Sequence, residues 1–376
     1  MRAIVLSGGG SKGAYEIGVW KALRKLNIEY DIVTGTSVGA LNAALMTQKT
    51  YFKAVKLWKN IEFNKIIDEK IDENNIVKSY AENIVHGGMN TTSLERTVDE
   101  ALNLKKFYKS KINMGLITVR LNKLKPIKLT KKEIEPSKLK DYLVASASCF
   151  PAFKTKSIED KKYVDGGYFD NLPINLAIEM GANEIIAVDL KEVGIKRRVD
   201  NEEVKIVTIS PRNNIGSFLI FEKDVSRRAI KLGYNDTLKH FKKLDGNKYT
   251  FKKNNLLKNY EKYSYKFDKL TGMNISFKEL NNIIEKLGYI FRLDDSIIYD
   301  ISKFNKVLIH KFEELEDDKN IVKLLRQNKI KNLFSNEYMV KYIYKTMGKN
   351  HLREIHRIFK TEYLCSIYIK VIMEEL

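Results

Sequence analysis

The pentapeptide Gly35-Thr36-Ser37-Val38-Gly39 has the G-x-S-x-G form of a nucleophile-bearing turn. A short β-rich run, Asp31–Thr34, precedes it, and a helix of small residues, Val38–Met46, opens directly after it. A strand, sharp turn and helix in that order lift a serine oxygen clear of the backbone. Side chains at Gly35 and Gly39 would crowd the turn and an approaching substrate. The helix beginning at Val38 offers amide donors and the positive end of its dipole beside Ser37. The same spacing also fits a tight strand-to-helix connection with no chemistry.

A second run, Gly8-Gly9-Gly10-Ser11-Lys12-Gly13, lies between a first strand, Ala3–Ser7, and its helix. It fits G-x-G-x-x-G, the dinucleotide fingerprint, which wants an acid about 20 positions on, at the end of the second strand. Asp31 stands at the start of that strand instead, and its end is taken by Gly35-Thr36-Ser37. A phosphate-binding P-loop fails as well, because Ala14 follows Gly13 where a lysine would be needed. Unhindered backbone N–H groups at a helix start remain, suited to an oxyanion formed when serine attacks an ester carbonyl.

The third segment is Tyr163-Val164-Asp165-Gly166-Gly167, followed by Phe169-Asp170-Asn171-Leu172-Pro173. An aspartate leaving a strand before two glycines sits on a loop that can bend sharply. By itself this is equally an ordinary Asp-Gly turn.

The elements that would position these groups alternate short β-rich runs with helical segments, as in an α/β layer with a largely parallel sheet. Val19, Ala22, Leu23 and Leu26 repeat on one helical face. Further strands are predicted near Ile112–Val119, Pro126–Leu129, Ile185–Leu190 and Lys205–Ile209, and Thr92 with Glu95 predicts a capping box. All five prolines precede residue 212. Beyond about residue 217 the pattern is helical and lysine-rich. There Ser276 and Glu279 predict a capping box, with Ile275 and Leu280 as its hydrophobic staple. Phe277, Leu280, Ile284 and Leu287 form one apolar stripe. Ile301, Phe304, Leu308, Phe312 and Leu315 form another, and His351–Glu375 reads as a long terminal helix. The expected division is an α/β domain over 1–215 and a mainly helical region over 216–376, with the boundary between 215 and 250.

Of the 376 residues, 44% are hydrophobic and 30% charged, enough apolar content for a sizeable core and against a disordered chain. No run approaches the roughly 18 apolar residues of a membrane span, and Met1-Arg2 before the first strand leaves no room for a signal peptide; a cytoplasmic protein is expected. The two cysteines, Cys149 and Cys365, belong to no metal or redox pattern and are expected to be buried, inert thiols. No H-E-x-x-H, EF-hand loop or Cys/His cluster is present, so catalysis without metal or organic cofactor is expected. The formal net charge of +20 favours anionic surfaces. No zinc finger, RRM signature or basic zipper points to nucleic acid, and solvated lysines with no partner account equally for the charge. The interleaved basic and aromatic residues from Lys239 to Phe267 would suit reversible contact with an anionic membrane, Lys242, Lys243, Lys252 and Lys253 supplying charge. The same residues equally suit a helical cap with its aromatic rings turned inward.

Taken together, the three motifs resemble those of the patatin-like phospholipase family in its bacterial form. The family's pattern is G-G-G-x-[RK]-G, then G-x-S-x-G, then D-G-[AG], and Gly8–Gly13, Gly35–Gly39 and Asp165–Gly167 match it in that order. Ala145-Ser146-Ala147-Ser148-Cys149-Phe150-Pro151 looks like the family's small-residue helix ending before proline, and Gly181–Asp189 like the strand after the aspartate. The resemblance covers roughly residues 1–240. It implies a three-layer α/β/α fold with a mostly parallel sheet, and a Ser37–Asp165 dyad in place of a triad. It implies hydrolysis of fatty-acyl esters such as phospholipids, lysophospholipids or monoacylglycerols. A non-catalytic lipid-binding protein on the same fold is the alternative. The residues support a dyad independently, because a serine hydroxyl needs a base, usually histidine. The α/β part contains only His86, beside Gly87-Gly88, and a triad through His240 would use a residue inside lysine-rich helical sequence.

Overall fold

The computed structural model describes residues 1–69, 75–315, 336–347 and 358–375. The chain divides into two compact units, Met1–Thr237 and Leu238–Leu376.

In the first unit, the short apolar runs become strands β1 (Arg2–Leu6), β2 (Ile32–Thr36), β3 (Asn113–Arg120), β4 (Lys125–Thr130), β5 (Lys156–Ile158), β6 (Lys161–Asp165), β7 (Glu184–Val188) and β8 (Lys205–Ile209). They form one sheet, parallel through β3-β2-β1-β7-β8. Strands β4 and β6 pair antiparallel with β3, and β5 with β6. Both faces of the centre are covered. Ala3 and Val5 pack with Leu172 and Ala177 on one side, so the alternation of a strand sends the equally buried Ile4 and Leu6 to the other. That second face carries α1 (Gly13–Lys25) and α2 (Val38–Thr47). The architecture is the α/β/α sandwich expected from the motifs.

The pairing on β3 decides the position of the site. Strand β4 takes one edge of β3 from Gly115 to Arg120. Strand β2 pairs with β3 as far as Ile117, and β6 pairs from Thr118 onward. They therefore share the other edge, end to end. The last residue of β2, Thr36, lies opposite Ile117, and the last of β6, Asp165, opposite Thr118. Two strands running in opposite senses thus deliver their C-terminal ends to one spot.

One local expectation is corrected. Thr92 does not cap its helix but is its first residue, over Thr92–Ala101, and Thr91 occupies the cap position without a side-chain cap bond. Asp68 satisfies the helix start from outside, accepting from the Ser93 N–H (3.2 Å) and hydroxyl (2.8 Å). A carboxylate brought in by another segment replaces the local cap.

The second unit is mainly helical. The capping box of Ser276 and Glu279 is present at the start of the helix Phe277–Ile290. Ile275, Leu280, Ile284 and Leu287 are buried in one core with Phe304, Leu308 and Phe312. Phe277 departs from the expected stripe: as the first helical residue it is exposed, its ring edge-on to Tyr260. A small sheet of Leu244–Asp245, Thr250–Lys252 and Ile298–Tyr299 was not legible in the sequence. The described part of the terminal helix runs Lys360–Met373, and the residues 351–357 assigned to it lie outside the described residues. Tyr249, Phe251, Tyr263 and Phe267 belong to the core of this unit. Rings packed there cannot reach a headgroup layer, so of the aromatic residues between Tyr249 and Phe267 only Tyr265 is largely exposed.

Candidate active site

Ser37 closes β2 and opens α2 with φ 56° and ψ −129°, a left-handed backbone that costs a non-glycine residue on the order of 1–3 kcal/mol. The surroundings enforce it. The Ser37 N–H donates to Ser146 Oγ (3.0 Å), which donates onward to the Ile117 carbonyl (2.7 Å). The turn is tight enough that a Cβ on Gly35 would lie 2.2 Å from the Gly39 carbonyl oxygen, and one on Gly39 2.4 Å from that of Leu6. Thr36 donates its hydroxyl to the Asp170 carbonyl (2.8 Å), tying the elbow to the segment after Asp165. Sequence reasoning missed the anchoring role of Ser146. It is one small residue among several in its helix, and only packing selects it.

Asp165 ends β6 and is buried. Burial pushes its carboxyl up to about 6, against hydrogen bonds from the Ser37 side chain and the Gly167 N–H that hold it down. The Gly167 bond is 2.7 Å long. Gly166 lies so close to β3 that a Cβ there would meet the Ile117 carbonyl oxygen at 2.2 Å.

The glycine loop separates into parts. Gly8 donates its N–H to the Asn171 carbonyl (3.0 Å), Ser11 to Phe218 (2.8 Å) and Lys12 to Gly9 (3.1 Å). Gly13 turns its N–H back onto the loop and starts α1. The Lys12 ammonium is paired with Glu192. Gly9 and Gly10 make no backbone N–H bond among the described residues, and both line the same cavity as Ser37 and Asp165. Of the six loop residues, these two bring uncommitted amides to the site.

Two adjoining cavities meet at Ser37. The first, with an empty volume of about 750 Å³, is walled by apolar side chains including Leu41, Leu45, Leu57, Trp58, Val98 and Leu102. The second, about 1340 Å³, contains Asp165, Gly167, Tyr168, Asn171 and Glu192. Gly10, Ser37, Ala147, Phe153 and Phe221 border both. The apolar wall was not anticipated, because its residues come from helices far apart in sequence. Among the described residues no histidine lines either cavity. His86 is exposed and turns Nδ1 to the Glu82 carbonyl, and His351 and His356 lie outside the described residues. Cys149, a rival nucleophile in the second cavity, is held protonated, its thiol pushed up to about 12 by burial and by the nearby Asp165 carboxylate. Cys365 is buried and raised further. Among the described residues no His/Cys/Asp/Glu group could hold a metal, and no helix is long and apolar enough to cross a membrane.

Behind the apolar cavity, Asn42 receives the Trp58 indole N–H (2.9 Å) and donates to Glu16 (2.8 Å) and the Gly13 carbonyl (3.0 Å). Burial raises the Glu16 carboxyl well above its usual range. A raised folded value makes stability greatest below the ordinary carboxyl value of about 4.3 and lowers it as pH climbs. Glu16→Gln does not titrate. Its melting temperature should therefore gain on that of the native protein between pH 4 and pH 8, by about 2–4 °C per kcal/mol recovered. Parallel melting curves at the two pH values check this.

Comparison with known proteins agrees with the motifs. Residues 4–178 match the family described as patatin-like phospholipase, a narrower stretch than the 1–240 suggested by the motifs. Patatin-like phospholipase domain-containing protein 7 of Rattus norvegicus is 25% identical over 196 residues, and protein 6 of Homo sapiens 28% over 196. Lysophospholipase NTE1 of Candida albicans is 26% identical over 197. Each alignment covers 50% of this chain and only 13% of the relative. Among solved structures, VipD from Legionella pneumophila aligns at 14% identity with a TM-score of 0.39, over 99% of this chain and 91% of that one. Residues 4–178, the part of the chain that holds all three motifs, are similar to the patatin-like phospholipase family.

Proposed function

We propose that the protein is a serine lipid acyl hydrolase that cleaves fatty-acyl esters through an acyl-enzyme on Ser37, with Asp165 as the base. The observation that carries this reading is the strained Ser37, sharing a cavity with the buried Asp165 carboxyl at the junction of an apolar and a mixed cavity. The apolar cavity suits the acyl chain, and the second the alcohol part of the ester. The lipid-hydrolase names of the relatives support the same class.

The chemistry follows from the placement. Ser37 Oγ attacks the ester carbonyl carbon while its proton passes to Asp165. Charge collects on the carbonyl oxygen, and the amides of Gly9 and Gly10, with the start of α2 at Val38, stabilise it. Collapse breaks the ester C–O bond, and the alcohol leaves with the proton from Asp165. Water then attacks the acyl-enzyme, giving its proton to Asp165. The fatty acid departs as Ser37 Oγ recovers that proton. Nothing in this sequence calls for a metal or an organic cofactor.

A fluorophosphonate tests the reading, since it reacts with an activated serine and with little else. Mass spectrometry should place the adduct on Ser37, and an acyl ester should protect against it. A protein that stays unlabelled while binding lipid would be a lipid carrier on the same fold.

A further inference from the structure

The segment after β7 leaves apolar side chains in water at the mouth of the Ser37 cavity. In Lys191–Arg198 every residue but Glu192 is exposed; Val193 is 97% exposed and Ile195 52%. Tyr168, 46% exposed, lines the same cavity, and its hydroxyl bonds the carbonyl of Phe150, itself 44% exposed. Val193, Ile195 and Tyr168 thus line one opening with Phe150 bonded beside Tyr168, an arrangement that solvent disfavours and a binding partner rewards.

The loop is clamped rather than loose. Ile195 donates its N–H to the Gly167 carbonyl (3.0 Å) and accepts from the Asn171 N–H (2.6 Å). Glu192 pairs with Lys12 of the glycine loop. The tip is therefore fastened on one side to the strip following Asp165 and on the other to the loop that frames Ser37. Basic residues flank it: Lys191, Lys196, Arg197 and Arg198 against Glu192, which is paired with Lys12, while Lys196 pairs with Asp189 (2.7 Å). Arg198 is almost fully in solvent, its one ion pair among the described residues being with the similarly exposed Glu202.

We infer that the loop Lys191–Arg198 is a membrane-docking tip that enters the headgroup zone of an anionic lipid bilayer and seats the Ser37 cavity mouth on it. Apolar side chains at the apex with cations at the base match the layering of such a surface, apolar below and negatively charged above. The inference rests on the acyl-hydrolase reading, because a lipid ester enters from a bilayer and the tip lies where it would enter. It also differs in place from the Lys239–Phe267 stretch, whose rings are mostly core.

The test reads binding without turnover. Native protein is sedimented with vesicles of ether-linked phosphatidylglycerol and phosphatidylcholine, which contain no acyl ester, and with vesicles of ether-linked phosphatidylcholine alone. Binding is expected to the anionic vesicles and to weaken as salt rises. Val193→Asp should lower the partition constant by about tenfold or more, the scale of removing one buried valine. Lys191→Gln and Arg198→Gln should each lower it about fivefold at low salt. A second measurement does not depend on loss. Trp20 and Trp58 are both buried, so Val193→Trp adds a reporter whose emission should shift to the blue on anionic vesicles and be quenched by brominated lipid. Unchanged partitioning of Val193→Asp, or a Val193→Trp spectrum indifferent to vesicles, overturns the inference. So does equal binding to neutral and anionic vesicles. Concentration-dependent dimerisation abolished by Val193→Asp, without vesicle binding, would overturn it in favour of a protein interface. Fluorophosphonate labelling is scored separately on vesicle-free protein, so failure of the Ser37 chemistry and failure of docking give different results.

Discussion

Replacing Ser37 with alanine is expected to lower hydrolysis of a fatty-acyl ester by on the order of 10⁵- to 10⁶-fold, the loss seen when a covalent serine is removed from a hydrolase. The magnitude follows from the division of labour at the site. Without Oγ no acyl-enzyme can form, and what remains is the electrostatic help of the Gly9, Gly10 and Val38 amides to an unactivated water. Binding should survive, because the walls contributed by Leu41, Leu57, Trp58 and Leu102 are untouched. The loss should therefore fall on kcat, with fluorophosphonate labelling lost in parallel. Steady-state kinetics on a soluble short-chain ester measure this. Retention of full activity by Ser37→Ala would remove the acyl-enzyme reading.

Asp165→Asn should lower kcat by about 10²- to 10⁴-fold, the usual worth of a positioned general base. The amide keeps the shape of the carboxylate, and its oxygen can still accept from the Gly167 N–H, so the loss reports proton transfer rather than collapse of the turn. The pH profile adds a check. Burial pushes the Asp165 carboxyl up to about 6, and the base must be ionised to work. Activity should therefore be flat above pH 6 and fall about tenfold per pH unit below it, and the residual activity of the asparagine variant should lose that limb. Stability should move the other way. A folded value raised above the ordinary 3.9 means that the native state gains stability below that pH and loses it as pH rises to about 6. Asp165→Asn should thus be more stable than the native protein at neutral pH, by on the order of 3 kcal/mol, and no more stable at pH 3.5. More stability with far less turnover is the signature of a carboxylate held in place for chemistry. An Asp165→Asn protein of normal activity, or one that loses stability at neutral pH, would show that the residue serves the fold.

The sequence by itself determined the local grammar. A glycine-flanked serine between a strand and a helix can be read without coordinates because its cause is local: side chains at Gly35 and Gly39 are excluded by backbone within the same turn or on the adjacent strand. The same holds for the Ser276–Glu279 capping box, which closes within one helical turn. Thr92 and Glu95 show the limit of that logic, since their spacing was right but Asp68, folded in from another segment, supplied the cap. Aromatic and basic residues alternating from Lys239 to Phe267 read as well for a membrane face as for a core, and only packing separated them. Tertiary structure alone decided the rest. Ser37 and Asp165 meet because β2 ends on β3 opposite Ile117 and the antiparallel β6 ends opposite Thr118 on the same edge, a registry set by pairing between distant strands. Gly9 and Gly10 are singled out from six equivalent-looking loop residues because the other amides find partners, Asn171 and Phe218 among them, that no spacing rule foretells. The apolar cavity beside Ser37 is likewise a property of packing, since its walls are assembled from helices whose sequences announce only that they are apolar on one face.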